Sequence, residues 1–238
     1  MKPVFVQTTN VRNFHSMMAL VEKRHGHDSF ATASGRAGIG KTESGKYYAT
    51  QTGSVYIETL GGWSELWMYQ DILKGMGVRN QPKQRKPCFE LILEISRDTP
   101  RTIILDEADR LSHKLLDAVR DLCKMMLVPW VLIGEESLPQ LIGRDRRVWS
   151  RQCATMEFKP MEAPDIIGIC KEATDEGLHM NAQVAAMIQQ KTGGDIRLIE
   201  MIISNAEPIS KTNHCKEITE EIAKKAMQRM SLDRRNAA

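Results

Sequence analysis

The sequence predicts an α/β fold, with a parallel five-stranded sheet covered by helices on both faces and a small all-α domain after it. From Phe30 to Phe158, short apolar runs alternate with helical patterns, which is typical of a buried parallel sheet. Beyond Lys159-Pro160 the pattern is helical only. The 238 residues suffice for one full domain and a smaller one. We therefore expect domains at 1–159 and 160–238.

The predicted strands are the five apolar runs Phe30–Ala33, Val55–Thr59, Thr102–Leu105, Trp130–Ile133 and Ala154–Phe158. The stretch Lys114–Met126 between them has apolar residues at helical spacing. Helices of the second domain are predicted at 163–176, 181–191, 196–205 and 217–230, with Thr219 as the N-cap of the last.

Composition narrows the class of protein. The chain is 42% hydrophobic and 26% charged, as folded domains are. No apolar run approaches the ~20 residues of a membrane span, and the start of the chain lacks the apolar core of a signal peptide. The five cysteines form no CxxC pair, which favours free thiols in the reducing cytoplasm. We expect a cytoplasmic protein without a membrane partner.

The charge distribution favours a polyanionic partner. Residues 1–151 hold 22 basic and 17 acidic residues, whereas residues 152–238 hold 11 and 13. The basic excess therefore lies in the first part of the chain, where short runs concentrate it.

A complete GxxxxGK[ST] motif follows the first predicted strand and precedes a helical pattern. Its glycines let backbone N–H groups approach phosphates at a helix N-terminus. Lys41 would reach the β- and γ-phosphates, and the Thr42 hydroxyl would bind Mg²⁺. The predicted ATP-binding residues are Gly35, Arg36, Ala37, Gly38, Ile39, Gly40, Lys41 and Thr42.

Two acidic residues, Asp106 and Glu107, directly follow the predicted strand Thr102–Leu105. Parallel strands deliver such residues to the carboxyl edge of the sheet, where Asp106 would orient Mg²⁺ and Glu107 would polarise the attacking water. The alternative is an acidic turn at the start of a helix. The glycine motif upstream favours the catalytic interpretation.

Two arginine-containing segments and one basic run have two interpretations each. The arginines of 144–151 either reach the γ-phosphate of a neighbouring subunit or form a solvated or nucleic-acid-binding loop. Arg197, after Gly193-Gly194, either contacts the nucleotide or pairs with an acid. The segment 79–87, whose prolines are expected to keep it out of regular helix, either contacts DNA phosphates or is a solvated turn.

For two other groups of candidate functional residues, a structural role is the favoured interpretation. His25 and His27 have no Cys or carboxylate cluster beside them and indicate a loop. Trp63, Trp67 and Met68 have helical spacing and indicate core packing.

Together, the glycine motif, the Ile-Ile-Leu-Asp-Glu-Ala-Asp strand end, the Arg-x-x-Ser-Arg segment and the Gly-x-x-Arg helix start resemble the AAA+ ATPases. More narrowly, Phe5-Val6-Gln7-Thr8, Gln84-Arg85-Lys86 and Val131-Leu132-Ile133-Gly134 are similar to segments of the target-selection ATPases of Mu-like DNA transposition. The likeness extends from about Phe5 to Met230.

The resemblance assigns further roles. It implies that Arg151 is an arginine finger, with Arg147 as the other candidate, and that Arg197 is the second sensor. It places Lys83, Arg85 and Lys86 at the DNA inside a helical filament. Where family members often have Asn after the fourth strand, this chain has Glu135-Glu136, which departs from the first-sensor pattern. The helix-turn-helix domain that precedes the ATPase in this family is not expected here.

The function implied is that of an ATPase with ATP and Mg²⁺ as cofactors. It would assemble on double-stranded DNA as an ATP-dependent homo-oligomeric ring or helical filament and deliver that DNA to a transposase. The alternatives are a helicase loader or replication initiator acting mainly on a protein, and a small-molecule P-loop kinase.

Overall fold

The computed structural model describes residues 2–24, 30–144, 152–175 and 177–236. They fall into two compact units. The sheet unit comprises Asn13–Arg36 and Lys41–Phe158, and the helical unit comprises Met1–Arg12, Ala37–Gly40 and Lys159–Ala238. The division into domains at residues 159 and 160 stays a prediction.

The sheet has five parallel strands in the order β2-β3-β4-β1-β5. Every residue of the three inner strands is buried, as expected of strands covered on both faces. The edge strands β2 and β5 are only partly buried. The predicted α/β fold class is therefore confirmed. The strands are β1 (Phe30–Ser34), β2 (Val55–Glu58), β3 (Ile103–Asp106), β4 (Trp130–Gly134) and β5 (Gln152–Glu157).

The helices up to Phe158 in the described ranges are α1 (Thr9–Glu22), α2 (Lys41–Thr52), α3 (Glu65–Gly75), α4 (Arg85–Asp98), α5 (His113–Met126) and α6 (Leu138–Gly143). Helix α5 illustrates why they form. The Ser112 hydroxyl accepts a hydrogen bond from the Leu115 N–H at its start. Leu116, Val119 and Leu122 recur at helical spacing and join the strand residues in one core.

The helical unit contains α7 (Ala163–Ala173), α8 (Ala182–Thr192), α9 (Ile196–Thr212) and α10 (Glu220–Asn236). Their apolar faces form a second core that includes Ile169, Ile188 and Ile203. The N-terminal residues belong to this unit: the Thr9 N–H and hydroxyl donate to Asp165 Oδ1 at 2.8 and 3.0 Å. The Thr219 hydroxyl accepts from the Ile222 N–H at 3.4 Å, as expected of an N-cap.

The prediction that prolines keep the whole of 79–87 out of a helix is wrong at its end. Helix α4 begins at Arg85, and Pro87 lies in its first turn. Proline is tolerated there because the first N–H groups of a helix have no carbonyl partner within it. Residues 79–84 are not helical.

Two other expectations need correction. Helix α9 continues through Pro208 to Thr212, seven residues beyond the predicted end. Trp63 and Met68 are buried as predicted, but 44% of Trp67 is exposed. Trp67 lies on the outward face of α3, so it does not join Trp63 and Met68 in the core, contrary to what their helical spacing had suggested. Within the described ranges, no helix combines the length and the apolar character that crossing a membrane requires.

Candidate nucleotide-binding site

The predicted phosphate loop connects β1 to α2, with Lys41 as the first helical residue. Gly38 and Gly40 have φ angles of +79° and +87°, which side-chain-bearing residues seldom adopt. The Gly35 N–H donates to the Gly134 carbonyl at 3.3 Å, so the start of the loop is fixed to the end of β4. The loop lies at the carboxyl edge of the sheet, where ligands of such folds bind.

The Lys41 ammonium group is held inside this loop. Its Nζ donates to the carbonyl oxygens of Gly35 at 2.6 Å and Arg36 at 2.8 Å. Partial burial lowers the pKa of Lys41, because desolvation outweighs the opposing attraction of four carboxylates. These belong to Glu135, Asp106, Glu107 and Asp109. The structure thus brings Lys41, Asp106 and Glu107 together, as the sequence predicted, and adds two acids.

Asp106, the last residue of β3, is only 1% exposed. Its Oδ2 accepts a hydrogen bond from the Tyr56 hydroxyl at 2.5 Å, and its Oδ1 accepts one from the Glu107 N–H at 2.8 Å. Burial and the neighbouring carboxylate raise the pKa of Tyr56, which therefore stays a donor. A carboxylate has about four lone-pair sites, so Asp106 can still accept further hydrogen bonds.

Tyr56 was missed by sequence reasoning. It lies on β2 opposite Ile104, and Glu58 lies opposite Asp106. Residues two apart on a strand share a face, so Tyr56 and Asp106 are diagonal neighbours on adjacent strands. A tyrosine within an otherwise apolar strand beside the acidic one was the available signal.

Glu107 follows β3 with a left-handed backbone, φ +54° and ψ +32°. It leads into a 3₁₀ turn over Ala108–Arg110. One of its carboxylate oxygens, Oε2, lies 3.2 Å from Arg110 Nε in an ion pair whose side chains are 32% and 49% exposed. The residue predicted to be the general base therefore lies directly after β3, paired with an arginine that the sequence analysis did not single out.

The end of β4 also contacts this turn. Asp109 Oδ1 accepts a hydrogen bond from the Glu135 N–H at 2.8 Å. A Cβ atom added at Gly134 would lie 2.5 Å from the same oxygen, so a side chain there would have to displace the Asp109 carboxylate. Glu135, which stands where family members often have Asn, is the carboxylate with the strongest electrostatic effect on Lys41.

In the helical unit, the middle of the phosphate loop is bound to the start of α9. Asp195 caps this helix by accepting from the N–H groups of Arg197 at 2.9 Å and Leu198 at 3.3 Å. The Ile196 N–H donates to the Gly38 carbonyl at 2.8 Å. Arg197, the predicted second sensor, is exposed in the first turn of α9. The backbone beside it therefore touches the loop.

Asn10 fixes another part of the loop. Its Nδ2 donates to the Ile39 carbonyl at 3.4 Å and to the Lys159 carbonyl at 2.7 Å, and its Oδ1 accepts from the Lys159 N–H at 3.1 Å. Ile39 is fully buried, whereas Ala37 is exposed. Sequence reasoning did not single out Asn10, because its bonds join residues far apart in the chain.

The predicted DNA-binding residues lie around the start of α4. Lys83 precedes the helix, and Arg85 and Lys86 are its first two residues. Arg85 Nη1 pairs with Glu65 Oε2 at 2.9 Å, and Lys86 Nζ lies 3.7 Å from Glu90 Oε1. Their side chains are 61% and 86% exposed. The cations are therefore accessible to a ligand, although both already have an acidic neighbour.

Some predicted residues lie outside the described ranges. These include Arg147 and Arg151, the two candidates for the arginine finger, and the pair His25 and His27. The roles assigned to all site residues stay predictions.

Comparison with known proteins identifies the class. The model of the AAA domain family matches residues 24–142, half of the chain. This protein therefore belongs to the AAA family, and it is a nucleotide-binding ATPase.

Relatives narrow the comparison. The chain is 23% identical to the "Mu-like prophage FluMu DNA transposition protein B" of Haemophilus influenzae, over 83% of this chain and 70% of that protein. It is also 23% identical to the "ATP-dependent target DNA activator B" of Escherichia phage Mu, over 97% of this chain and 75% of that protein. The similarity to transposition B proteins predicted from the motifs is confirmed.

Solved structures share the fold. Cdc6p from Pyrobaculum aerophilum has a TM-score of 0.68 at 19% identity, covering 96% of this chain and 69% of that one. The RuvB Holliday junction branch migration motor of Thermotoga maritima has a TM-score of 0.60 at 18% identity, covering 94% and 70%. At such identities the likeness supports the AAA+ fold alone.

Proposed function

We propose that this ATPase binds double-stranded target DNA without sequence preference and delivers it to a DDE transposase. The observation that carries this proposal is the similarity to a target DNA activator over 97% of the chain. It spans both the sheet and the helical unit, and so exceeds what a shared ATP-binding motif would produce.

The residues at the loop suit a magnesium nucleotide. The Lys41 protons that now reach two loop carbonyls would turn to the β- and γ-phosphates, because a charged acceptor forms the stronger hydrogen bond. Thr42, in the first turn of α2, would supply a hydroxyl ligand, and Asp106 would hold metal-bound water on its remaining lone pairs. Mg²⁺ bound in this way would neutralise charge on the phosphates.

Among the described residues, no group of three or more His, Cys, Asp or Glu side chains could hold a metal ion. The ion would therefore bind together with the nucleotide, with Thr42 and Asp106 as the residues that would hold it. This is how Mg²⁺ usually binds, through one or two protein groups and the substrate phosphates.

Glu107 would act as the general base for hydrolysis. It follows the strand that ends in Asp106, and its carboxylate contributes to the potential at Lys41. A carboxylate at this position can orient water and accept its proton as the water attacks the γ-phosphate.

Arginine residues would complete the site. An arginine from a neighbouring subunit, Arg151 or Arg147, would neutralise charge that develops on the γ-phosphate. Arg197 would contact the same nucleotide from the start of α9, beside the Gly38 carbonyl. ATP would then join subunits into a ring or helical filament, and hydrolysis would separate them.

The exposed cations at the start of α4 would contact the DNA backbone. Lys83, Arg85 and Lys86 supply positive charge without neighbouring aromatic residues in the segment, which suits phosphate contacts that do not depend on base sequence. Because Arg85 already pairs with Glu65, its contact with phosphate would require exchange of one anion for another.

The test is ATP-dependent co-sedimentation of the purified protein with plain duplex DNA at moderate salt. We expect the DNA to pellet with protein only when ATP or a non-hydrolysable analogue is present, and not with the Lys41→Ala variant. Lys225→Ala, which removes an exposed ion pair with Glu221 on α10, is the matched control and should behave as wild type. Absence of nucleotide-dependent pelleting would reject the proposal.

The replication-initiator alternative has a different readout. This chain shares the fold of solved proteins such as Cdc6p. Its similarity in sequence to the transposition relatives, however, extends over most of the chain. Affinity capture should recover a transposase; recovery of a replicative helicase instead would favour the alternative.

A further inference from the structure

We infer that Arg110 is a positioning residue that holds Glu107 away from the attacking water and thereby sets a low basal rate of ATP hydrolysis. This inference depends on the proposed role of Glu107 as the general base. Nothing in the family motifs assigns a role to this arginine. Its ion pair with Glu107 in the 3₁₀ turn is the observation that points to one.

The backbone places the two side chains together. The Arg110 N–H donates to the Glu107 carbonyl at 3.0 Å, and the Leu111 N–H donates to the Ala108 carbonyl at 3.1 Å. Ala108 is fully buried and Leu111 is 3% exposed. These buried residues fix the turn, so Glu107 and Arg110 remain one turn apart with Nε and Oε2 at 3.2 Å.

A second contact holds the turn from the side of β4. The Asp109 carboxylate accepts a hydrogen bond from the Glu135 N–H, and it lies close against Gly134, where a Cβ atom would come within 2.5 Å of its Oδ1. The turn is therefore fixed by groups other than the ion pair. Removing the Arg110 side chain should release the Glu107 carboxylate without displacing the turn.

The pair opposes catalysis by orienting the base. It draws Glu107 Oε2 towards Arg110 Nε, 3.2 Å away, and a carboxylate held there is turned from the attacking water. The effect is modest and reversible, since the side chains are 32% and 49% exposed and solvent screens pairs of this kind.

The first test is steady-state ATP hydrolysis by the Arg110→Ala variant. Exposed ion pairs of this kind correspond to about a two- to fivefold change in an equilibrium, so we expect kcat to rise by about two- to fivefold with KM unchanged. Arg110→Lys should restore most of the wild-type rate. Lys225→Ala, which removes the exposed pair with Glu221 at 2.7 Å, should leave kcat unchanged.

Ionic strength gives a readout that a purely structural role would not produce. Salt weakens an exposed ion pair, so the wild-type basal rate should rise as salt is increased from low to moderate concentration. The rate of Arg110→Ala should start high and respond less to salt. A fall in kcat for Arg110→Ala would show that Arg110 assists Glu107, and would overturn the inference.

A double-mutant cycle measures the pair in protein without nucleotide. Arg110→Ala, Glu107→Gln and the double variant are compared in equilibrium unfolding. We expect the effects on the unfolding constant to deviate from simple multiplication by about two- to fivefold. Strict multiplication would overturn the inference.

The outcomes separate this inference from the function proposed above. Normal turnover by Glu107→Gln would overturn the assignment of Glu107 as the base, and the role of Arg110 with it. Loss of turnover in Glu107→Gln, combined with an unchanged kcat in Arg110→Ala, would overturn the role of Arg110 alone.

Discussion

Replacing Tyr56 by phenylalanine tests whether the fold depends on the hydrogen bond to Asp106. The Tyr56 hydroxyl donates at 2.5 Å to a carboxylate that is 1% exposed. The substitution keeps the ring and removes one donor from a buried charge. Because water cannot readily replace that donor, the carboxylate loses part of its stabilisation.

The expected magnitude follows from the charge and burial of the acceptor. A hydrogen bond to a charged group contributes about 1.5 to 3 kcal/mol. Asp106 keeps its bond from the Glu107 N–H, so the loss should stay within this range. We expect the free energy of unfolding to fall by about 1.5 to 3 kcal/mol, which for a chain of this size lowers Tm by about 3 to 12 °C.

Equilibrium urea unfolding followed by circular dichroism measures the difference. The matched control is Tyr69→Phe, because the Tyr69 hydroxyl also donates to a carboxylate, that of Glu65, at 3.0 Å. The Glu65 side chain is 22% exposed and also pairs with Arg85, so this loss should be about 1 kcal/mol or less. An equal or smaller loss for Tyr56→Phe would refute the claim that Asp106 depends on Tyr56.

Four further predictions concern the site. Glu107→Gln should bind ATP but turn it over at least about 100-fold more slowly, and so accumulate ATP-bound assemblies on DNA in sedimentation; wild-type kcat would contradict it. Because burial lowers the pKa of Lys41, its charge is lost at a lower pH than the usual lysine value of about 10.4. As the pH is raised, nucleotide affinity, measured by titration calorimetry, should therefore begin to fall before the pH reaches that value, by about 10- to 150-fold in full. Lys41→Arg should keep its affinity over the same pH range. Reversing Arg85 and Lys86 to glutamate should weaken DNA binding and reduce the slope of log K against log salt by about 1.8 or more, with ATP affinity unchanged in the same titrations. Gly194→Ala would force a side chain into a left-handed residue, φ +75°, with neighbouring backbone at 2.7 Å; unfolding experiments should show a loss of about 2 to 4 kcal/mol.

The sequence predicted the strands well because their burial is uniform. Every residue of the inner strands is buried, so a nearly continuous apolar run identified β3 and β4 to within one residue at each end. The edge strand β5 was predicted at 154–158 but spans Gln152–Glu157. Its mixture of polar and apolar residues gives a weaker pattern.

Contacts within the site were harder to predict because most join residues far apart in the chain. The glycine motif and Asp106 with Glu107 could be found, since the chemistry of phosphate binding fixes local spacing. The bond from Tyr56 to Asp106 depends on which strands are neighbours in the sheet, and the bond from Asp109 to the Glu135 N–H depends on where β4 ends. The prolines around residue 85 favoured a loop, although a proline within the first turn does not prevent a helix.

The balance of charge at the sheet edge would link hydrolysis to the proposed assembly. Lys41 lies in the field of four carboxylates, Asp106, Glu107, Asp109 and Glu135, and only Glu107 among them has a cation, Arg110, paired with it in the described residues. A bound triphosphate would add further negative charge to a partly desolvated site, where repulsion is weakly screened. Binding would therefore require cations beyond Lys41, from Mg²⁺ and from arginines such as Arg197 or those of 144–151. If one of these arginines came from a second subunit, the complete site would exist only in the oligomer, and the acidic surroundings would keep an isolated subunit a poor ATPase.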